Sequence, residues 1–220
     1  MNGFLAGGMQ NGEWIFFADP NQDIFLKGKA FGEAEAYLKE NYNPCVFRLI
    51  RNCRNTAQIA RRNSMLTNTP ATKYLNLSGP EVKVVEYSEN GEFIEKLDKE
   101  LRSLLSGGTA VSEIVILSPK RLDNSLLNGV TRLADVDLVE VRSFKGIKKN
   151  QINYLTVQSY KGLESQVVFY IDIDGFESIE NRRINYVAMS RAQIYLCYFV
   201  DRRLKAEYEQ RMLDGMEMLS

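Results

Sequence analysis

The sequence contains no histidine, which excludes serine–histidine triads, cysteine–histidine dyads and histidine-ligated metal sites. Its cysteines, Cys45, Cys53 and Cys197, are odd in number and widely spaced, which predicts a reducing compartment rather than a disulfide framework. No stretch approaches the roughly 18 consecutive apolar residues of a membrane helix, and residues 1–8 lack the basic and apolar regions of a signal peptide. We therefore expect a cytoplasmic protein with no membrane partner.

The composition is that of a soluble globular protein, with 45% hydrophobic and 25% charged residues. A length of 220 residues, set against a typical domain of about 150, predicts one domain with an appendage. Lys plus Arg total 28, as do Asp plus Glu, so the net charge gives no indication of a polyanionic partner. A nucleic-acid surface must come from local clustering of cations.

One such cluster lies between Asn41 and Pro80, a segment without Asp or Glu. Its cations are Arg48, Arg51, Arg54, Arg61, Arg62 and Lys73. A solvated helix face whose acidic partners lie elsewhere and a phosphate-binding surface both account for this pattern. Charge alone does not decide between them.

Apolar runs of strand length alternate with amphipathic patterns of helix period. Phe93, Leu97 and Leu101 lie on one apolar face of a predicted helix that ends at Gly107. The strand from Glu113 to Leu117 is apolar enough to be buried on both faces, as in parallel sheets. Further strands are predicted at 14–18, 82–87, 138–141, 152–157, 167–173 and 194–200, and further helices at 57–65, 179–191 and 204–219. The alternation predicts an α/β fold with a largely parallel sheet.

Polar residues that follow strands are the first candidates for a site, because parallel α/β sheets bind ligands at the carboxyl ends of their strands. Asp19 and Gln22 follow the first predicted strand, where an ordinary proline turn is the simpler interpretation. Arg54 precedes a predicted helix for which Asn55 or Thr56 is a suitable N-cap. A guanidinium at such a junction can reach across a cleft.

Two later segments carry the same kind of polar residue. Thr156, Gln158 and Ser159 follow a strand and offer hydroxyl and amide groups that suit phosphate oxygens, with Lys161 in the same turn. Arg191 ends a predicted helix, where the plain interpretation is that its charge complements the helix dipole.

Taken in order, these four segments resemble motifs III, IV, V and VI of superfamily 1 helicases of the UvrD/Rep type. The matching segments are 18–25, 52–56, 156–164 and 186–192. The most specific strings are Lys-Gly-Leu-Glu at 161–164 and Tyr-Val-Ala-Met-Ser-Arg-Ala at 186–192. The resemblance runs from about Trp14 to Val200 and implies the carboxyl-terminal part of such a helicase.

The resemblance implies an α/β, RecA-like fold of the P-loop NTPase type, with a largely parallel sheet and helices on both faces. The family has two such lobes, with ATP between them and single-stranded nucleic acid across both. Residues 1–40 are then expected to be the tail end of the first lobe, with motif III and a linker. Residues 41–220 are expected to be the second lobe, with motifs IV, V and VI and at most a small insertion.

The resemblance also implies roles for the candidate residues. Gln22 would sense the γ-phosphate, with Asp19 beside it, and Arg54 and Arg191 would be the two arginines that the second lobe extends to the same phosphate. Glu164 would lie near the nucleotide. Gln22, Arg54 and Arg191 are thus the expected catalytic residues, and all five the expected ATP-binding residues.

The expected nucleic-acid partner is single-stranded or partly duplex DNA, with RNA not excluded. The resemblance implies that Phe25 stacks on a base and that Thr156 faces the nucleic-acid backbone, and we expect Gln158 and Lys161 on the same surface.

The sequence also departs from the family pattern. It has no Gly-x-x-x-x-Gly-Lys-Ser/Thr loop and no Asp-Glu pair after an apolar strand, so ATP and Mg²⁺ would be held mainly by a missing amino-terminal ATPase lobe. No metal ligand is predicted in this chain. Cys53 stands where the family usually has a tyrosine that stacks on adenine, and Lys27 where a second base-stacking aromatic is common.

These features predict the carboxyl-terminal motor lobe of an ATP-dependent DNA helicase or translocase, inactive by itself. A non-catalytic RecA-like module that binds nucleic acid or protein is the main alternative. A Mg²⁺ nuclease is a weaker one, because Glu81 and Lys83 have suitable spacing but the nearest upstream acid, Glu40, is far away.

Overall fold

The structure, a computed structural model, describes residues 8–19, 22, 24, 29–47, 51–69, 73–74 and 77–219. The chain divides into two compact units, Met1–Leu49 and Ile50–Ser220. The first unit contains the helices α1 (Gly8–Asn11) and α2 (Lys29–Tyr42). The predicted boundary near residue 40 and the assignment of the two parts to separate lobes stay predictions.

The second unit is built around one seven-stranded sheet. Its helices are α3 (Ala57–Thr67), α4 (Asn90–Ser106), α5 (Ile179–Met189) and α6 (Lys205–Leu219). Its strands are β1 (Arg51–Asn52), β2 (Lys73–Tyr74), β3 (Lys83–Tyr87), β4 (Ile114–Ser118), β5 (Arg132–Leu133), β6 (Val136–Glu140), β7 (Ile152–Thr156), β8 (Ser165–Tyr170) and β9 (Ala192–Asp201). The sheet runs in the order β3-β9-β8-β4-β7-β6-β5, and only the β5–β6 pair is antiparallel. Strands β1 and β2 pair separately.

Helices cover both faces of this sheet, as predicted. On one face, Phe93 of α4 lies with its ring centroid 5.2 Å from that of Phe199, within a core that also contains Leu97 and Leu101. The neighbouring residue Tyr198 points to the other face, because side chains alternate along a strand, and its hydroxyl accepts a hydrogen bond from Arg62 of α3. The predicted α/β, RecA-like class is therefore confirmed. No helix of the described residues has the length and apolar character to span a bilayer.

The predicted strand at 14–18 is wrong. This segment has no strand partner among the described residues, and Ile15 and Phe17 are 79% and 85% exposed. A run of apolar residues forms a buried strand only where neighbouring strands satisfy its backbone groups. The composition of the segment is typical of a strand, but the described part of the first unit contains no sheet with which it could pair.

Asp172 lies just after β8 and binds both the last residue of β4 and the connection that follows β4. Its carboxylate is 3% exposed. The hydroxyls of Ser118 and Ser125 both donate to Oδ2 at 2.6 Å, and the amide of Leu126 donates to Oδ1 at 3.0 Å. A single buried anion thus satisfies three donors from two elements, which holds the carboxyl ends of β4 and β8 in register.

We expect Asp172→Ala to lower the free energy of unfolding by about 3 kcal/mol, because it leaves these three donors without an acceptor. Urea denaturation measures the loss. Asp123→Ala is the matched control, since Asp123 is exposed and its carboxylate accepts a hydrogen bond from the neighbouring Asn124. It should change stability by no more than about 0.5 kcal/mol. Equal losses in both variants would contradict this account of the buried network.

Candidate functional site

The turn after β7 is held together by its own polar groups. The hydroxyl of Thr156 accepts from the amide of Ser159 at 3.1 Å and lies 2.6 Å from the Ser159 hydroxyl. The phenol of Tyr160 donates to the carbonyl of Glu164 at 2.8 Å. Burial raises the pKa of Tyr160, so the phenol keeps this proton. Gly162 supplies the positive φ of 89° that lets the chain turn back into β8.

The predicted nucleic-acid residues of this turn do share one end of the sheet. Thr156 and Gln158 are half-buried and Lys161 is exposed, all directly after the carboxyl end of β7. Their contact with nucleic acid stays a prediction. Phe25, predicted to stack on a base, lies outside the described residues, as do Lys27 and Arg48.

The short loop before α3 is shaped by two asparagines. Asn52 accepts at Oδ1 from the backbone amides of Arg54 and Asn55, at 3.0 and 3.2 Å. Its own amide donates to Oδ1 of Asn55 at 3.0 Å. These three bonds curl the backbone around Arg54 and leave that side chain on the outside of the loop.

Asn55 in turn joins this loop to the segment that carries Arg191. Its Nδ2 donates to the carbonyls of Ser190 at 3.1 Å and Ala192 at 2.5 Å, on either side of Arg191. The side chain is therefore not the helix N-cap that was one prediction for it. Thr56 occupies the N-cap position of α3, but its side chain makes no capping hydrogen bond. The role of Asn55 is a long-range one.

Arg191 is buried, with 1% of its surface exposed. Its Nε donates to the carbonyl of Val187 at 3.0 Å and its Nη2 to the hydroxyl of Ser190 at 2.9 Å. Nη1 lies 3.4 Å from the carbonyl of Leu163. The charge thus lies against the last turn of α5, as the helix-dipole interpretation predicts, and it also reaches the turn that follows β7.

Arg54 meets the next residue of that same turn. Its Nε forms an ion pair with Oε1 of Glu164, whose other oxygen accepts from Gln193 at 2.9 Å. The side chains of Arg54 and Glu164 are 41% and 30% exposed. The structure therefore brings Arg54, Glu164 and Arg191 together around adjacent residues, Leu163 and Glu164.

Asp19 and Gln22 lie in the first unit and contact one another. The Gln22 amide group donates from Nε2 to Oδ2 of Asp19 at 2.7 Å, and its backbone amide donates to the Asp19 carbonyl at 3.1 Å. This is the turn that the sequence predicts at this point. The γ-phosphate role of both residues stays a prediction.

The cations between Asn41 and Pro80 do not all belong to one exposed basic surface. Arg62 turns into the packing between α3 and α6, where its Nη1 donates to the hydroxyls of Tyr208 at 2.7 Å and Tyr198 at 3.3 Å. Arg51 and Arg61 are exposed. Within the described ranges, no group of three or more cysteines or acids could hold a metal ion.

Comparison with known proteins finds a family model that matches part of this chain. Residues 152–197 match the model of the UvrD-like helicase C-terminal domain, a segment that contains the turn after β7, Glu164 and Arg191. The resemblance to the carboxyl-terminal part of UvrD-type helicases is thereby confirmed. No curated protein sequence matches this chain.

A solved structure has a fold similar to that of this chain. It is described as the C-terminal domain of a possible DNA helicase from Lactobacillus plantarum WCFS1. The likeness has a TM-score of 0.54 at 16% sequence identity, and covers 70% of this chain and 92% of that chain.

We expect Asn55→Ala to lower the free energy of unfolding by about 2 kcal/mol, because two carbonyls lose their donor in a buried setting. Urea denaturation compares it with Asn128→Ala, because the side chain of Asn128 is exposed and makes no hydrogen bond within the described residues. If Asn55→Ala is as stable as that control, the join between the two segments contributes nothing to the fold.

The three cysteine thiols should differ in their reactivity toward an alkylating reagent. Cys45 and Cys53 are exposed, whereas Cys197 is buried in β9 and burial raises the pKa of its thiol. We expect iodoacetamide to modify the first two in the native protein and Cys197 only in denaturant, because the reagent needs an accessible thiolate. Mass spectrometry of the peptides assigns the sites. Modification of Cys197 at the native rate of Cys53 would contradict this placement.

Proposed function

We propose that this chain is the carboxyl-terminal motor lobe of an ATP-dependent DNA helicase or translocase. The family match over 152–197 supports the helicase assignment. The observation that carries the proposal is the convergence of Arg54 and Arg191 on the neighbouring residues Leu163 and Glu164. Two guanidiniums from different elements that meet at one turn are a suitable arrangement for an anionic ligand.

Arginines suit this chemistry because charge builds up on the oxygens of the transferred phosphoryl group. A guanidinium that reaches those oxygens contributes about 10³–10⁵ in rate. In this proposal the ATP is bound by another lobe, so hydrolysis proceeds only when the two lobes close. Lobe movement then follows the state of the nucleotide, and turnover can drive steps along a strand.

The two arginines would contribute differently. Arg54 is the more accessible, and a phosphate would compete with the carboxylate of Glu164 for its guanidinium. Glu164 would keep its hydrogen bond from Gln193 after such an exchange. Arg191 is engaged with carbonyls, so its contact with phosphate would require the turn at Leu163 to shift. Asn55 would keep the loop that carries Arg54 in contact with the segment that carries Arg191.

ATP and Mg²⁺ fit this chain only in part. The sequence has no phosphate-binding loop, and the described residues offer no cluster of acids for a metal. ATP would supply the phosphoryl group, and Mg²⁺ and most phosphate contacts would come from an amino-terminal ATPase lobe. The residues of this chain would bind and orient the γ-phosphate through Arg54 and Arg191, with Asp19 and Gln22 as further candidates.

The nucleic acid would lie across the turn after β7. The hydroxyl of Thr156, the amide of Gln158 and the ammonium of Lys161 suit phosphate oxygens. We propose DNA as the partner, with RNA as the alternative that a competition experiment separates.

The test supplies the chain with an amino-terminal ATPase lobe from the same protein and measures single-strand-stimulated ATP hydrolysis. We expect no turnover from either part alone. We expect Arg54→Ala and Arg191→Ala each to lower kcat about 10³-fold or more. Arg51→Ala is the control, because Arg51 is exposed three positions from Arg54 and should leave kcat unchanged.

Because Arg191 is buried, its loss could act through folding. Arg191→Lys, which keeps the charge, and thermal unfolding of each variant separate the two effects. Turnover by the chain alone would contradict the proposal, as would undiminished turnover in a folded Arg54→Ala variant.

The alternative function is a non-catalytic RecA-like module that binds nucleic acid or protein. The observation that favours it is the burial of Arg191, each of whose three side-chain nitrogens donates to a protein acceptor. An ATPase that responds to neither arginine substitution would favour this module over the motor lobe.

A further inference from the structure

The connection from β6 to β7 carries a row of exposed cations. We call residues 142–149 the basic loop. Its cations are Arg142, Lys145, Lys148 and Lys149, and all four are exposed. No Asp or Glu occurs between Glu140 and Glu164, so the loop has no acid of its own. The chain therefore has a second acid-free segment, apart from the one between Asn41 and Pro80.

These lysines differ from several others in the same unit. Within the part of the chain that the structure describes, Lys145, Lys148 and Lys149 form no ion pair, and Arg142 faces Glu140 at 3.6 Å. Several other ammonium groups of this unit are neutralised by carboxylates. Examples are the pairs Lys83–Glu100, Lys96–Glu92, Lys120–Asp174 and Lys205–Glu86. The positive charge of the three loop lysines is not compensated by an ion pair among the described residues, although the whole chain is neutral.

The basic loop is also held in place by the sheet. Asn153 of β7 is 3% exposed. Its Oδ1 accepts from the backbone amide of Lys148 at 3.1 Å, and its Nδ2 donates to the Lys148 carbonyl at 2.8 Å. The amide of Gly146 donates to the carbonyl of Ser143 at 2.9 Å, which closes a turn in the middle of the loop. A buried amide side chain thus fixes an exposed basic segment.

The sheet register puts the start of this loop beside the turn after β7. Strands β6 and β7 are parallel, with Glu140 opposite Tyr154, and the amide of Val141 continues the ladder to the Tyr154 carbonyl at 2.8 Å. Arg142 therefore leaves the sheet at the level where β7 ends in Thr156. Because parallel strands present their carboxyl ends at one edge, Arg142 and the polar turn lie at the same edge of the sheet. From there the loop runs back along β7 as far as Asn153, which holds Lys148.

We propose that the basic loop binds the sugar–phosphate backbone of a single-stranded nucleic acid and extends the surface formed by the turn after β7. The identity of the polyanion rests on the proposed function. The charge pattern favours a phosphate chain over an acidic protein, because the loop begins beside the hydroxyl and amide groups of the turn after β7. A stable protein interface would need an apolar centre, whereas four of the eight residues of the basic loop are cations.

The experiment measures binding of the whole chain to a short fluorescein-labelled oligodeoxythymidylate by anisotropy over a range of NaCl concentrations. The loop variant carries Lys145→Gln, Lys148→Gln and Lys149→Gln. The control carries Lys83→Gln, Lys99→Gln and Lys205→Gln, which remove the same charge from lysines that do not belong to the loop. Thermal unfolding checks that both variants fold.

We expect the loop variant to bind about tenfold more weakly or worse at low salt, and the control to bind as the unmodified chain does. The slope of log K against log salt should fall by about 2 in the loop variant, since each phosphate contact in a single strand contributes about 0.7. An equal loss in the control would assign the effect to net charge and overturn the proposal.

Three other results would also overturn it. The first is an unmodified chain that does not bind the oligonucleotide. The second is a loop variant that binds it with an unchanged salt slope. The third is a loop variant that keeps oligonucleotide binding but loses binding to polyglutamate, which would identify an acidic protein as the partner. None of these readouts involves ATP, so the basic loop can fail while the motor-lobe proposal stands, and the reverse.

Discussion

The geometry of the candidate site depends on one amide group, the side chain of Asn55. It bonds to two carbonyls that lie 135 and 137 positions further along the chain, on both sides of Arg191. A polar side chain that is buried must find partners, and Asn55 finds them only if the loop before α3 sits against the end of α5. The positions of Arg54, Glu164 and Arg191 relative to one another follow from that contact.

The sheet and its helices could be predicted from the sequence because their signals are local. The apolar face of α4, with Phe93, Leu97 and Leu101, matches its observed span. The strand predicted at Glu113 to Leu117 is observed one residue later as β4, which is fully buried. Polar residues after strand ends also had a local signal, since Thr156 and Gln158 interrupt an apolar run. The order of the four helicase-like motifs then led to the hypothesis that Arg54 and Arg191 act on the same phosphate.

What could not be predicted depends on contacts between distant segments. Nothing near Asn55 in the sequence distinguishes a helix cap from a bond to Ser190, because both use the same side chain. The burial of Asp172 with Ser118 and Ser125 is equally invisible, since Asp172 lies 54 and 47 positions along the chain from these serines. The strand at 14–18 failed for the opposite reason: its local signal was strong, but the described structure gives it no neighbour. The absence of acids around the basic loop can be seen in the sequence. Where that loop leaves the sheet is known only from the register of β6 and β7.

The strand order has a consequence for how the chain reaches its native state. Strand β9 lies between β3 and β8. Strand β3, the first of the sheet along the chain, therefore has no partner until β9, the last strand, has been made. A ribosome must therefore deliver the chain as far as β9 before β3 can join the sheet. Such non-local pairing gives a high contact order and slow folding, and until β9 arrives the emerging chain carries an unpaired edge that a chaperone would need to shield.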